Sequence, residues 1–298
     1  MEVVFRKNTY NGPLVVEVPG KYDLYTFDGS QSHEEWRWRP ETLANGQGFL
    51  YADSIPDMAS RTLSLTGTLV PSNDALSFDL AYTNTPFGAW NLVGNPFACD
   101  ATSSIDNFYV IDGTELVPAS GTVAPLQGIF VMSTGSGQSV TFTPGTSSKA
   151  PPALNIRLTK ADSRDGRIMD LVRIRFDESE DLEKLQVNPS HTKIYIPQNG
   201  KDYAVVNVGR DAPWHVSTTE VPINFKATED GQYTLTVDTE EVSFGHLHLI
   251  DKIMEVDVDL LTNPSYTFTA KTTDDERRFK LVFSICEAAE GNGVKTKK

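Results

Sequence analysis

Lys193-Ile194-Tyr195-Ile196-Pro197-Gln198-Asn199-Gly200-Lys201-Asp202-Tyr203-Ala204-Val205-Val206 reads as a β-hairpin. Two runs rich in β-branched and aromatic residues flank Asn-Gly, the pair that best tolerates positive φ at both central positions of a tight two-residue turn. The same grammar extends outward along the chain. Val172, Ile174 and Phe176 alternate with Arg173 and Arg175; Tyr233, Leu235 and Val237 with Thr234, Thr236 and Asp238; Phe279, Leu281 and Phe283 repeat the pattern near the end. Period two predicts strands with one buried and one wet face, as in antiparallel sheets. Asp28-Gly29, Asp112-Gly113 and Asp230-Gly231 add further turns. A helical pattern occurs once, after Ser179, with Leu182 and Leu185 on one side. The expected fold class is all-β: two tandem antiparallel β-sandwich domains of jelly-roll or Ig-like type.

A chain of 298 residues, 39% hydrophobic and 10% aromatic, can bury two ordinary cores. Thr, Val and Tyr are frequent and Met is sparse, which favours strands. The net charge of −14 repels phosphate backbones, so no nucleic-acid partner is expected. Two cysteines, Cys99 and Cys286, make neither a disulfide framework nor a zinc motif; they suit two free thiols or one bridge between domains. No apolar run is long enough for membrane insertion. Met1-Glu2-Val3-Val4-Phe5-Arg6 lacks the pattern of a signal peptide, so the chain is expected to be either a mature fragment or a recombinantly expressed piece. Gly145 to Pro152, ending in two prolines, reads as a linker. The expected domains are 1–147 and 153–285, joined by 148–152 and followed by a flexible tail, 286–298.

The first domain contains an internal repeat, with halves at about 14–69 and 88–145. Tyr22 to Gly29, Leu43 to Ala52 and Thr62 to Thr68 parallel Asn107 to Gly113, Val123 to Met132 and Ser139 to Gly145. The order is the same twice: an aromatic strand, an Asp-Gly turn, Gln-Gly entering an apolar strand, then a Thr-rich strand. Three matched blocks in order point to duplication. Two such halves are expected to pack face to face and share a core. Trp90-Asn91-Leu92-Val93-Gly94-Asn95-Pro96-Phe97 precedes the second half, with Phe97 expected to plug the core. Pro13 to Val18 matches that block poorly, so the first copy is expected either to lack this strand or to have diverged.

The Trp90 to Phe97 block, the Asp112-Gly113 turn and Ala124-Pro125-Leu126-Gln127-Gly128 resemble repeats in large secreted, adhesin-like proteins of Bacteroidetes. In the second domain Leu182 to Gln186, Lys193 to Pro197, Tyr203 to Asn207, Pro222 to Ala227, Gly231 to Leu235 and His248 to Asp251 are similar to the same group. The resemblance spans nearly the whole chain. It implies the repeat-plus-sandwich region that precedes a C-terminal sorting domain, and a secreted or cell-surface location. The chain departs from that pattern after Cys286, where a Lys-rich tail stands in place of a sorting domain.

Trp36, Arg37 and Trp38 are the leading candidate binding residues. Two tryptophans two apart on a strand share a face, and a flat aromatic platform flanked by charge suits stacking on sugar rings; the alternative places both rings in the core. His246 and His248 also share a strand face with Asp251 nearby, but a third metal ligand at recognisable spacing is lacking. Asp177 to Glu183 and Asp257-Val258-Asp259 are carboxylate-rich without the spacing of a calcium loop, and read as solvated acidic segments. Asp53-Ser54-Ile55 resembles a short Bacteroidetes O-glycosylation signal. Gly-x-Ser-x-Gly, His-Glu-x-x-His and phosphate-loop motifs are missing from the sequence, so no catalytic residues and no cofactor are expected. The expected function is a monomeric, non-catalytic adhesion, interaction or spacer module whose partner is a surface protein or glycan; the alternative is a carbohydrate-binding module accessory to a larger hydrolase.

Overall fold

The computed structural model describes residues 2–7, 12–13, 22–31, 36–38, 42–53, 70–71, 73–112, 115–148, 151–163, 166–187, 190–208 and 218–285; for 2–7, 12–13, 22–23, 36–38, 42–43 and 52–53 it describes the backbone alone. The protein is all-β, with no helix among the described residues. It divides into two compact units, Met1–Ala150 with Ser179–Leu182, and Pro151–Glu178 with Glu183–Lys298.

The first unit contains β1 (Glu2–Lys7), β2 (Gly12–Pro13), β3 (Tyr22–Phe27), β4 (Trp36–Trp38), β5 (Thr42–Leu43), β6 (Gly48–Asp53), β7 (Leu76–Asp79), β8 (Trp90–Gly94), β9 (Ala101–Asp112), β10 (Glu115–Val123), β11 (Gly128–Met132) and β12 (Ser139–Pro144). One sheet has the order β1-β6-β3-β4. The next carries β8, β11, β9 and β10 joined in the same order, extended through β9 by β12 and β7. The registers coincide as well. Tyr25 stands opposite Leu50, two residues past Gly48, and Tyr109 opposite Phe130, two residues past Gly128. Lys7 pairs with Gly48 as Gly94 pairs with Gly128. The strand equivalent to Trp90–Gly94 is therefore β1, upstream of the Pro13 to Val18 segment where the sequence pattern looked for it. Ladder pairing is a backbone property, so Glu-Val-Val-Phe-Arg-Lys fills the same place without resembling Trp-Asn-Leu-Val-Gly.

Each copy enters its apolar strand through the same turn. The Gln47 N–H donates to Ala44 O at 3.3 Å, and the Gln127 N–H to Ala124 O at 3.2 Å. The third residue has positive φ in both, 75° at Gly46 and 62° at Leu126, the pattern of a type II turn. Asn95 is fully buried; its amide donates to Cys99 O and Val123 O, each at 2.9 Å, and its Oδ1 accepts the Phe97 N–H. Phe97 is buried in the core of the second copy with Phe108, Ile129, Val140 and Phe142. The two sheets meet where the Gly94 N–H donates to Gly46 O at 2.8 Å and the Phe27 ring packs edge-on against Phe130 at 5.1 Å. Alternate residues of β11 serve different sides: Ile129 and Val131 join the second copy's core, Phe130 meets the first sheet.

The second unit is built from β13 (Ala153–Lys160), β14 (Ile168–Arg175), β15 (Leu182–Glu183), β16 (Lys193–Gln198), β17 (Lys201–Asn207), β18 (Thr219–Lys226), β19 (Gly231–Glu240), β20 (Phe244–Asp251), β21 (Val256–Asp259), β22 (Ser265–Ala270) and β23 (Phe279–Ile285). They form one hydrogen-bonded path, β21-β20-β23-β18-β16-β17-β14-β13-β19-β22, with β15 beside β17. β16 and β17 make the Asn-Gly hairpin, with Gln198 opposite Lys201 and φ of 52° at Asn199 and 77° at Gly200. The sheet curls on itself: Phe225 of β18 lies 5.1 Å from Phe268 of β22, six strands further along the path, and Phe268 lies 4.9 Å from Phe279 of β23.

Two local expectations change. Leu182 and Leu185 are buried but not helical; Lys184 is buried against Asp170, and its N–H bonds Asp202 O at 2.8 Å, which keeps the segment extended. Arg175 was expected on a wet face, yet it is only 3% exposed and pairs with Asp177, while Arg173 donates to Asn155 Oδ1 at 2.6 Å. Burial in turn lowers the Arg173 pKa.

Arg278 and Asp251, both 0% exposed, form a buried ion pair in this unit. Arg278 reaches Asp251 through Nε and Nη2, the latter at 2.7 Å, and donates Nη1 to Thr269 O at 2.8 Å. Asp251 also accepts the Tyr266 hydroxyl at 3.0 Å and the N–H groups of Ile253 and Met254. The guanidinium stacks 4.4 Å from the Phe268 ring. Arg278→Met leaves a buried carboxylate without its cation, and we expect a loss of about 3–5 kcal/mol in urea unfolding. Burial, then the bond to Asp251, push the Tyr266 pKa up to about 12. The unfolded chain releases this proton near pH 10, so the stabilisation holds below about 10 and is lost as pH rises through the folded value. Absorbance titration near 295 nm should show this phenol ionising late, with alkaline unfolding following it.

Candidate functional site

A cavity of about 470 Å³ opens in the first unit where the β1-β6-β3-β4 sheet meets β7 and β8 of the next. Its walls are the rings of Phe27, Phe78 and Trp90. Its polar lining comes from the Asp28-Gly29 turn, from Asn45 and Gln47 of the Gln-Gly turn, from Ser77 and Asp79 of β7, and from Asn91. The segments approach closely because glycines stand at the contacts. A Cβ on Gly46 would lie 2.4 Å from the Phe78 ring, and one on Gly29 would lie 2.1 Å from Phe87 O.

The polar groups divide into two sets. Asp28 accepts from the Ser30 N–H and from Gln31; Asn91 bonds the backbone of Ala81 on both sides of its amide; Ser77 bonds Thr141. Those groups hold the walls. The side chains of Asn45, Gln47 and Asp79 and the indole N–H of Trp90 make no hydrogen bond among the described residues. Asn45 Oδ1 is buried as well, an acceptor removed from water and left without a donor, which costs about 1–3 kcal/mol. The equivalent turn of the second copy behaves otherwise: Gln127 Oε1 accepts the Ala124 N–H at 2.8 Å, and Pro125 stands where the first copy has Asn45. No Lys, Arg or His is among the described lining residues.

The residues singled out from sequence are not among the described lining residues. Trp36, Arg37 and Trp38 form β4 at the end of the first sheet, with Trp36 opposite Phe27, Arg37 opposite Thr26 and Trp38 opposite Tyr25; their side chains lie outside the described residues. By register they occupy the places of Leu116, Val117 and Pro118 in the second copy. Ser54 and Ile55 of the glycosylation-like triplet, and Cys286, also lie outside the described residues, while Cys99 is a free thiol.

His246 and His248 stack at 4.0 Å on the partly exposed face of β20, with Leu247 and Leu249 in the core. His248 Nδ1 donates to Asp257 Oδ1 at 2.7 Å. Asp251 does not join them. It shares parity with Leu247 and Leu249, and so points inward to Arg278. Among the described residues no three His, Cys, Asp or Glu side chains converge on a metal position. Asp177 is held by Arg175 and Asn207, and Glu183 by Lys201. Asp259 caps its own turn through Thr262 Oγ1, Leu261 N and Thr262 N, and these bonds lower its pKa. Among the described residues no helix is long and apolar enough to cross a membrane.

No family model, no curated protein and no solved structure matches the chain.

The second copy shows what the first copy's turn tolerates. Proline is favoured at the second position of a type II turn, and Pro125 occupies it. Asn45→Pro removes the unpaired amide and stiffens the unfolded chain, so we expect a gain of about 0.4–1 kcal/mol in denaturant unfolding.

Proposed function

We propose that this chain is a non-catalytic interaction module of a secreted or cell-surface protein, with its two units serving as tandem sandwich-like domains. The observation that carries this reading is an exposed apolar edge on the second unit. Ile253, Met254, Val256 and Leu261 are 42%, 55%, 38% and 50% exposed, on and beside β21, the terminal strand of the curled sheet. Large apolar side chains exposed on the terminal strand of a sheet and in the turns that flank it mark an interaction site, since β21 has one strand partner among the described residues and its flanks offer apolar contact area. The duplicated first unit and the tandem organisation support a modular role. The acidic stretches support a structural rather than chemical use of their carboxylates, because Asp177, Glu183 and Asp259 are engaged by neighbouring donors. The sequence resemblance to Bacteroidetes adhesin-like proteins points the same way and supplies the expected setting.

Fluorescently labelled protein should bind saturably to epithelial cells or to immobilised extracellular-matrix proteins. The double variant Ile253→Ser/Met254→Ser should weaken that binding at least tenfold while unfolding within about 0.5 kcal/mol of the parent at each exposed site. Absence of saturable binding to any of these surfaces, or binding indifferent to the double variant, contradicts the proposal.

A further inference from the structure

We infer that the cavity of the first unit is a binding site for a neutral, polyhydroxylated ligand of the size of one or two sugar rings. The inference rests on the interaction reading above and assigns it a second, chemically distinct site besides the apolar residues of β21.

The argument begins from the duplicated turn. In the second copy the glutamine oxygen closes the turn onto the Ala124 N–H and the second position is proline, so no buried acceptor there is left without a donor. In the first copy the backbone turn is the same, yet Asn45 and Gln47 make no side-chain hydrogen bond among the described residues and both line the cavity. Fold maintenance does not require the Asn45 amide, because the second copy makes the same turn with Pro125, nor the Gln47 side chain, because the first copy's backbone turn forms while that side chain is unbonded. Buried polar atoms in folded proteins are otherwise nearly always paired, and the exceptions mark functional sites or missing partners. Asn45 Oδ1 is one such atom, as is Asn224 Oδ1 in the second unit, and Asn45 lines the cavity together with Gln47, Asp79 and Trp90, whose side chains make no hydrogen bond among the described residues.

The chemistry of the lining selects the ligand. Each amide offers both a donor and an acceptor, Asp79 offers acceptors and Trp90 a donor, which matches hydroxyls that donate and accept at once. The Phe27, Phe78 and Trp90 rings supply apolar walls for the C–H faces of a pyranose. An anionic ligand would meet the Asp79 carboxylate, with no Lys, Arg or His among the described lining residues. A cationic amine would leave the N–H donors of Asn45, Gln47 and Trp90 unused, and a hydrocarbon would leave Asn45 Oδ1 unpaired. The volume falls in the lower half of the range of small-ligand pockets, about 300–1,000 Å³.

The test is isothermal titration of the whole chain with maltose, cellobiose, lactose and mannobiose, alongside digalacturonate and spermidine. At least one neutral disaccharide should bind, with quenching of tryptophan fluorescence. Asn45→Pro should weaken that binding at least tenfold while raising the melting temperature, a combination that a structural role for Asn45 does not give. Asp79→Asn, at an exposed position, should weaken it severalfold without unfolding the chain. Failure of all four neutral sugars to bind, preference for digalacturonate or spermidine, or sugar binding untouched by Asn45→Pro overturns the inference. Cell-surface binding that persists in Asn45→Pro and is lost in Ile253→Ser/Met254→Ser separates the two sites, so this inference can fail while the interaction reading stands.

Discussion

The first unit depends on a backbone constraint: a residue at positive φ immediately before Gln-Gly. It sets where β6 and β11 begin, and therefore which residues of β3 and β9 stand across from them. Because Gly48 and Gly128 start their strands at the same register, both copies align an inner tyrosine with the third residue of the apolar strand. A one-residue slip would exchange the faces of Phe130 and its neighbours and expose the core. Glycine meets the constraint without strain in the first copy, where the turn also packs against Phe78. Leucine meets it in the second, where the side chain is exposed. The difference explains why the copies diverge at this turn while keeping its geometry.

Divergence of a duplicated element frees residues for other uses. The second copy closes its turn with Gln127 and builds a core around Phe97 through the buried Asn95. The first copy keeps the register but leaves two amides unengaged beside an aromatic-walled cavity. On this account the proposed sugar site lies in the copy that is less completely satisfied. The second unit relies on a different device, the buried Arg278–Asp251 pair, which ties β20, β22 and β23 together and holds the Ile253-Met254 turn through the Asp251 carboxylate. The same turn carries two of the exposed apolar side chains, so the ion pair fixes the edge from which interaction is proposed.

Much of this was legible in the sequence, for identifiable reasons. The Asn199-Gly200 hairpin and the two Gln-Gly turns are written in local chemistry, in residues that tolerate positive φ, while Thr62 to Thr68, the third block expected of the first copy, lies outside the described residues. Parity along the strand also held the position of Asp251, which is in step with Leu247 and Leu249 rather than with His246 and His248. β1 was not legible, since strand pairing imposes no side-chain pattern on an edge position. Neither was the extended course of Leu182 to Leu185, whose spacing fits a helix until Lys184 is seen buried against Asp170. The cavity was out of reach altogether. Its lining comes from four segments that meet only when the sheets do, and nothing in the letters tells that Gln127 closes its turn while Gln47 leaves its amide open.

The most direct test is a ¹⁵N nuclear magnetic resonance titration of the whole chain with whichever neutral disaccharide binds. The account predicts that the side-chain amides of Asn45 and Gln47 and the indole N–H of Trp90 shift together and saturate at one ligand, while the Gln127 amide stays fixed. Shifts confined to the indoles of Trp36 and Trp38, or a Gln127 amide that moves as far as that of Gln47, would contradict it.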